Sequence, residues 1–312
     1  RQRQMCIRDS YMALDETERQ EVLCKTMGVQ EPLAADSLSD QTREALALFR
    51  LLTRTVQIYG PEVLGGHVIS MTHQPSHVLV VLWLLRWAAC EAGGDELLGV
   101  GPPGIIPLFE TIDDLKRAAG ILEALFDNKL YAEHLEDYEK TQTVMVGYSD
   151  STKDGGYLTA SWCLYRSQSE LHEVCRRHGV ESVFFHGRGG SLGRGGGPAA
   201  RSIMSLPPQS VAGAIRMTEQ GEVLAARYDD PEIAFRHLEQ VTAATILVEA
   251  ESGEPPLEGW LRYMESLAQR AYEVYRELVE QPGFVEYFRQ ATPIDEIEAL
   301  PIGSRPSRRK RN

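Results

Sequence analysis

The chain has 312 residues, 43% of them hydrophobic and 25% charged, with a formal net charge of −13. That is an ordinary composition for a soluble globular protein, long enough for one large α/β domain or two smaller ones, and an acidic chain repels nucleic acid and anionic membrane overall, so an anionic ligand needs a local basic pocket. The cysteines at 6, 24, 90, 163 and 175 form no Cys-x-x-Cys pair, which excludes a metal knuckle or a disulfide framework and reads as reduced thiols in a cytoplasmic protein.

Residues 1–10 have no hydrophobic period and resemble a translated cloning linker, so a non-native leader is expected there and the native domain is expected over 11–304. Asp15 to Met27 is polar and helix-permissive, and Glu31 to Ser39 is a loop containing Pro32. From Gln41 to Ile58 apolar residues recur at 45, 48, 49, 52 and 56, the stripe of an amphipathic helix. Gly60-Pro61 and Gly65-Gly66 break the chain before His67 to Met71, a short β-branched run. The most apolar stretch, Val78 to Leu85, meets Arg86 too soon to span a bilayer, which takes roughly 20 residues, and reads as a buried helix from Pro75 to about Ala92.

Ile105 to Phe109, Thr143 to Tyr148 and Ser182 to Phe185 are further apolar runs, with helical patterns over Asp113–Phe126 and from about Gly156 to Arg177 between them. Strand and helix thus alternate, which predicts a parallel sheet with right-handed crossovers. The runs are apolar throughout, as expected for strands buried on both faces. Polar residues follow each run: Ser70 and Thr72, Glu110, Ser149 and Asp150, His186 and Arg188. A (β/α)8 barrel and an open doubly wound sheet both gather chemistry at that end of the strands, so the pattern alone does not choose between them. No dinucleotide or P-loop signature follows a strand.

Further on, Pro207-Pro208 opens a segment reaching Ile215, residues 218–222 look like a turn, and Pro231 to Glu249 is helical. Trp260, Met264, Leu267, Ala271, Val274 and Leu278 give a long helix with one buried stripe, ended by Pro282-Gly283. Residues 305–312 read as a basic tail cut short, with a nucleic-acid patch as the less economical reading.

The chemistry concentrates in His186 to Arg201, where seven of sixteen residues are glycine, three are arginine (188, 194 and 201) and none is acidic. Glycine lets a backbone approach a ligand closely, and arginine offers a planar fork of donors to carboxylate or phosphate oxygens. The loop is therefore expected to hold a small, multiply charged anion. A flexible linker or an arginine–glycine RNA-binding segment fits less well, because an apolar strand runs directly into it and the chain is acidic. Glu110 and Asp150 are expected at one mouth of the sheet, where two carboxylates suit Mg2+ or Mn2+; helix capping explains each of them separately. Lys153, read at the start of a helix, sits at an already positive end and calls for an anion nearby. His186 is a structural hydrogen-bonder or, less readily, a base.

Three stretches together resemble phosphoenolpyruvate carboxylase: Val144 to Gly156 (VMVGYSDSTKDGG), Phe185 to Gly196 (FHGRGGSLGRGG) and Arg216 to Glu222 (RMTEQGE), supported by Val68 to Met71 and Pro107 to Thr111. The resemblance runs from about Tyr11 to Arg309. It implies an α/β fold, part of a (β/α)8 TIM-type barrel of the phosphoenolpyruvate/pyruvate kind heavily decorated with α-helices, and a cytoplasmic homotetramer. It implies the joining of phosphoenolpyruvate and bicarbonate to give oxaloacetate and phosphate, through carboxyphosphate and the enolate of pyruvate, with Mg2+ or Mn2+. Glu110 and Asp150 match its metal ligands, and Lys153 and Arg188 its catalytic lysine and arginine. His186, Arg188 and Arg194 match substrate-binding loop residues, and Arg194 also matches a contact to a dicarboxylate inhibitor in regulated members. The family's Thr-Ala-His-Pro-Thr motif, which carries its catalytic histidine, does not occur in the chain, and Met71 to Pro75 is not its equivalent. The resemblance thus implies a partial chain, inactive alone; a non-catalytic anion-binding or regulatory fragment of the same fold is the alternative.

Overall fold

The computed structural model describes residues 11, 13–28, 38–92, 103–187, 199–211, 214–219, 221–250 and 256–299. Five parallel strands form one sheet: β1 (His67–Ile69), β2 (Ile105–Phe109), β3 (Thr141–Gly147), β4 (Glu181–Gly187) and β5 (Arg216–Met217), in the spatial order β1-β2-β3-β4-β5. His67 stands against Ile105 in one pair, and Phe185 and His186 stand against Arg216 and Met217 in another. Each strand adds beside its predecessor without the reversal of order that marks a doubly wound sheet.

Helices occupy the connections. In chain order they are α1 (Glu16–Thr26), α2 (Asp40–Tyr59), α3 (Pro75–Glu91), α4 (Ile112–Phe126), α5 (Lys129–Glu136), α6 (Ser149–Gly155), α7 (Tyr157–Arg177), α8 (Ala199–Met204), α9 (Gly221–Tyr228), α10 (Pro231–Ala250), α11 (Glu258–Val279), α12 (Phe284–Ala291) and α13 (Ile294–Ala299). Among the described residues, none is long and apolar enough to cross a membrane.

The chain divides into two compact units. The first comprises the described residues within Arg1–Phe109, Asp113–Met145 and Glu170–Val183, the second those within Glu110–Ile112, Val146–Ser169 and Phe184–Asn312. In the first unit, α3 opens with Pro75, whose fixed φ suits a first helical position, and packs on α1, α2 and β2. Its Val78, Leu79, Leu82 and Leu85 are buried, as the apolar run predicts. α1 is closed by a reciprocal cap between Asp15 and Glu18, and Glu16 accepts hydrogen bonds from Ser76 N (2.9 Å) and Oγ (2.7 Å). Buried Gln142 is fully engaged: Tyr131 Oη donates to its Oε1 at 2.7 Å, and its Nε2 donates to the carbonyls of Ile105 and Thr143.

The structure corrects several expectations. β2 is buried at every residue, but burial alternates along β3 and β4. Side chains of a strand point to opposite faces in turn, and the apolar run that the sequence shows places Met145, Val183 and Phe185 on the less covered faces of these two strands. β5 and α5 had no sequence signal, and the turn read over 218–222 contains the start of α9 at Gly221. Most consequential is α11, in the second unit: its stripe is not a buried one. Trp260 is 66% exposed, and Leu267, Val274 and Leu278 are exposed as well. α11 packs instead through Ala268, whose carbonyl accepts from Thr159 Oγ1 at 2.9 Å, and through Glu265, which accepts from Trp162 Nε1 at 2.7 Å. A helical period shows that one face is apolar; whether that face is buried depends on a partner, which the helix's own sequence does not contain.

Candidate functional site

Glu110, Asp150, Lys153 and His186 all lie in the second unit: Glu110 follows β2, Asp150 and Lys153 follow β3, and His186 is the last residue but one of β4. Glu110 is 4% exposed. Gly147, the last residue of β3, lies directly against it: a Cβ built on Gly147 would stand 3.1 Å from Glu110 Cα and 3.2 Å from its Cγ. The end of β3 can approach this closely only because residue 147 has no side chain. Alanine at Gly147 is therefore expected to displace Glu110 by a few tenths of an ångström and weaken any ion held there, at a stability cost of about 1–3 kcal/mol; titration of Mn2+ and urea unfolding of the same variant check both effects.

The first backbone N–H of α4, at Ile112, donates to Asp154 Oδ2 at 2.9 Å. Asp154 thus satisfies one of the N–H groups that a helix start leaves without an intrahelical partner.

Tyr148, in helical backbone conformation, links β3 to α6. The turn is fastened by two hydroxyls: Ser151 Oγ donates to the Gly147 carbonyl at 2.7 Å and Thr152 Oγ1 to the Tyr148 carbonyl at 2.7 Å. This presents Asp150 in the first turn of α6, its side chain 37% exposed. α6 is only seven residues long, so Lys153 falls in its last turn and not at a helix start. A lysine there is electrostatically favoured, and the expectation that its position by itself demands an anion is withdrawn. Lys153 Nζ lies 3.2 Å from Asp150 Oδ1, with the lysine side chain 72% exposed. Such an exposed pair is worth at most ~1 kcal/mol and leaves the ammonium accessible. Tyr275 Oη donates to the Lys153 carbonyl at 2.7 Å, which ties α6 to α11. Beside Lys153 a cleft of about 510 Å3 opens, walled by Tyr148, Ser149, Thr152 and Tyr157. One cation among hydroxyls is a surround that suits an oxygen-rich anion.

His186 is 2% exposed on β4, and its Nδ1 lies 2.8 Å from Tyr148 Oη. Its carbonyl accepts from Thr218 N at 3.0 Å. Beside it, Arg216 of β5 lies over the Phe185 ring at 4.2 Å. Arg188 and Arg194 fall outside the described residues; Arg201, the third arginine of the loop, is on α8 and exposed. Tyr148 is a participant that sequence reasoning passed over, and Asp154, which it offered only as an anion for Lys153, bonds the start of α4. Tyr148 carried a usable signal, a hydroxyl-bearing aromatic immediately before Ser149-Asp150 at a strand end.

Glu110 and Asp150 suit a hard divalent cation. Both offer oxygen ligands, Glu110 is fixed by burial, and magnesium commonly takes one or two carboxylates with water and substrate completing its shell. Among the described residues no cluster of three or more His, Cys, Asp or Glu could hold an ion.

Comparison with known proteins agrees with the motifs. The family model described as "Phosphoenolpyruvate carboxylase" matches residues 2–312. The chain is 43% identical over 311 residues to a phosphoenolpyruvate carboxylase of Mycobacterium avium (strain 104), covering 97% of the chain and 33% of that protein. It is 44% identical over 307 residues to one from Azoarcus sp. (strain BH72), covering 97% and 33%, and 41% identical over 319 residues to one from Rhodothermus marinus, covering 96% and 33%. The chain thus spans about a third of the length of the curated relatives it matches.

Proposed function

The chain belongs to the phosphoenolpyruvate carboxylase family, and from that premise we propose that Glu110, Asp150 and Lys153 form the metal-and-anion part of a site at which phosphoenolpyruvate and bicarbonate become oxaloacetate and phosphate. The observation that carries the reading is the arrangement at the strand ends: a buried carboxylate after β2 pressed against Gly147, with Asp150 and Lys153 one turn further on from β3. The unreversed strand order supports the same reading as an arc of a (β/α)8 barrel, whose chemistry gathers at this end of the strands.

In this reading Glu110 and Asp150 hold Mg2+ or Mn2+, which when bound supplies Lewis-acid stabilisation of negative charge. Lys153 swings from Asp150 toward the anion and offsets its charge. His186 orients an oxygen of the substrate. Arg188 neutralises the phosphoryl oxygens during transfer, and Arg194 binds the anionic groups of the substrate. A contact of Arg194 with a dicarboxylate inhibitor, a homotetrameric state and a cytoplasmic location belong to the same proposal.

The test is isothermal titration of Mn2+, then of phosphoglycolate (an unreactive phosphoenolpyruvate mimic), into the purified chain and into Asp150→Asn. Metal-dependent binding of the mimic is expected, weakened in Asp150→Asn by at least ~10-fold, equivalent to about 1.4 kcal/mol. Absence of binding in the folded chain, or binding indifferent to the substitution, overturns the assignment of this site.

A further inference from the structure

The contact between Tyr148 Oη and His186 Nδ1, at 2.8 Å with ring centroids 6.0 Å apart and planes at 48°, joins the turn after β3 to the end of β4. Both partners are held from elsewhere. The Tyr148 carbonyl accepts from Thr152 Oγ1 and Ser151 Oγ in the first turn of α6. The His186 backbone is paired with β5, its carbonyl accepting from Thr218 N.

Two proton arrangements satisfy such a contact. Either the phenol donates to a bare Nδ1, or an Nδ1–H donates to the phenol oxygen. The acid–base chemistry of the two groups is unequal. An imidazole nitrogen is basic near pH 6.5, whereas a phenol is an acid near pH 10 and its oxygen is scarcely basic. The better donor is therefore Tyr148 and the better acceptor His186 Nδ1.

We infer that Tyr148 is a positioning residue that fixes the tautomer of His186: its hydroxyl donates to Nδ1, so the neutral ring carries its one proton on Nε2 and serves as an Nε2–H donor, not as a proton acceptor at Nδ1. Of the two roles open to His186 from sequence, structural hydrogen-bonder and base, neither is complete. Tyr148 makes it a fixed Nε2–H donor one residue before Gly187 and the arginine–glycine loop. That this donor serves a bound anion rests on the function proposed above; the tautomer itself does not.

The tautomer is read directly by long-range 1H–15N correlation on the full chain labelled with 15N in its histidine rings. His186 is assigned by the signals that vanish in His186→Gln. The expected result is a single Nε2–H pattern at about pH 8, where an ordinary histidine is neutral. An Nδ1–H pattern at His186 overturns the inference. In Tyr148→Phe the preference is expected to be lost and the two ring nitrogens to move toward a tautomer average; an unchanged pattern overturns the role of Tyr148. Should Tyr148→Phe not fold, incorporation of 3-fluorotyrosine, a stronger phenolic acid of nearly the same shape, is expected to shift the His186 Nδ1 resonance, and an unmoved resonance again counts against the inference. The spectra are taken without ligand, so a failed tautomer leaves the metal-and-anion reading to its own titration.

Discussion

Alanine at Gly156 is expected to destabilise the protein by about 2–4 kcal/mol, from two effects that act together. Gly156 ends α6 with φ 77° and ψ 168°, a region of backbone space that is essentially reserved for glycine and costs other residues roughly 1–3 kcal/mol. Its Cβ would also stand 3.0 Å from Tyr275 Cγ and 3.1 Å from Cδ2. That ring cannot simply turn aside, because its hydroxyl is bonded to the Lys153 carbonyl at 2.7 Å. Relief of the clash has to move α6 or α11, and α6 carries Asp150 and Lys153. Urea unfolding measures the loss as a lower midpoint at unchanged slope. Gly283→Ala is a partial control: Gly283 also has positive φ (83°), but with ψ −2° it lies in the left-handed helical region, which costs other residues less, and a Cβ there meets nothing within 4 Å. A Gly156→Ala protein no less stable than Gly283→Ala would show that the Tyr275 contact does not constrain the turn.

This turn also marks where the sequence could be read and where it could not. The apolar run at 105–109 and the helix at 75–91 were legible because the first is buried throughout and the second over about half its residues, so composition alone reports burial. The end-of-strand positions of Glu110, Asp150 and His186 were legible for a related reason: an apolar run that stops abruptly at a polar residue marks the edge of a sheet. Lys153 was misplaced because the helical pattern is visible only from about Gly156, and the seven-residue α6 before it is too short to show a period. β5 is two residues long and shows no period. The apolar stripe of α11 was visible, but its exposure was not, since burial belongs to a pair of surfaces and the sequence shows one of them. Tyr148 escaped for the same reason: its importance lies in a partner 38 residues away.

Acid is expected to weaken the protein through His134, and the window and sign follow from its surroundings. His134 lies on α5, 1% exposed, with the rings of Tyr131 and Tyr138 at centroid distances of 5.7 and 5.3 Å. Its Nδ1 is buried without a hydrogen-bond partner. Burial, and secondarily the charge of Arg86, push its pKa down to about 4. In the unfolded chain the same group titrates near 6.5. Between these two values the unfolded state binds a proton that the folded state refuses, so stability falls as pH falls from ~6.5 to ~4 and the effect is complete below that. The full loss is about 3 kcal/mol, a large fraction of a typical folding free energy. His134→Phe keeps an aromatic ring between the tyrosines and removes the titrating group, and His134→Gln does so with a smaller side chain. Carboxylates that titrate in the same range are common to all three proteins and cancel in the difference. The stability of either variant relative to the parent is therefore expected to rise by about 3 kcal/mol between pH 7 and pH 4 in denaturant titrations. A difference that stays flat across that range would mean that His134 takes up its proton in the folded state, and that its pocket admits water or a counter-charge on acidification.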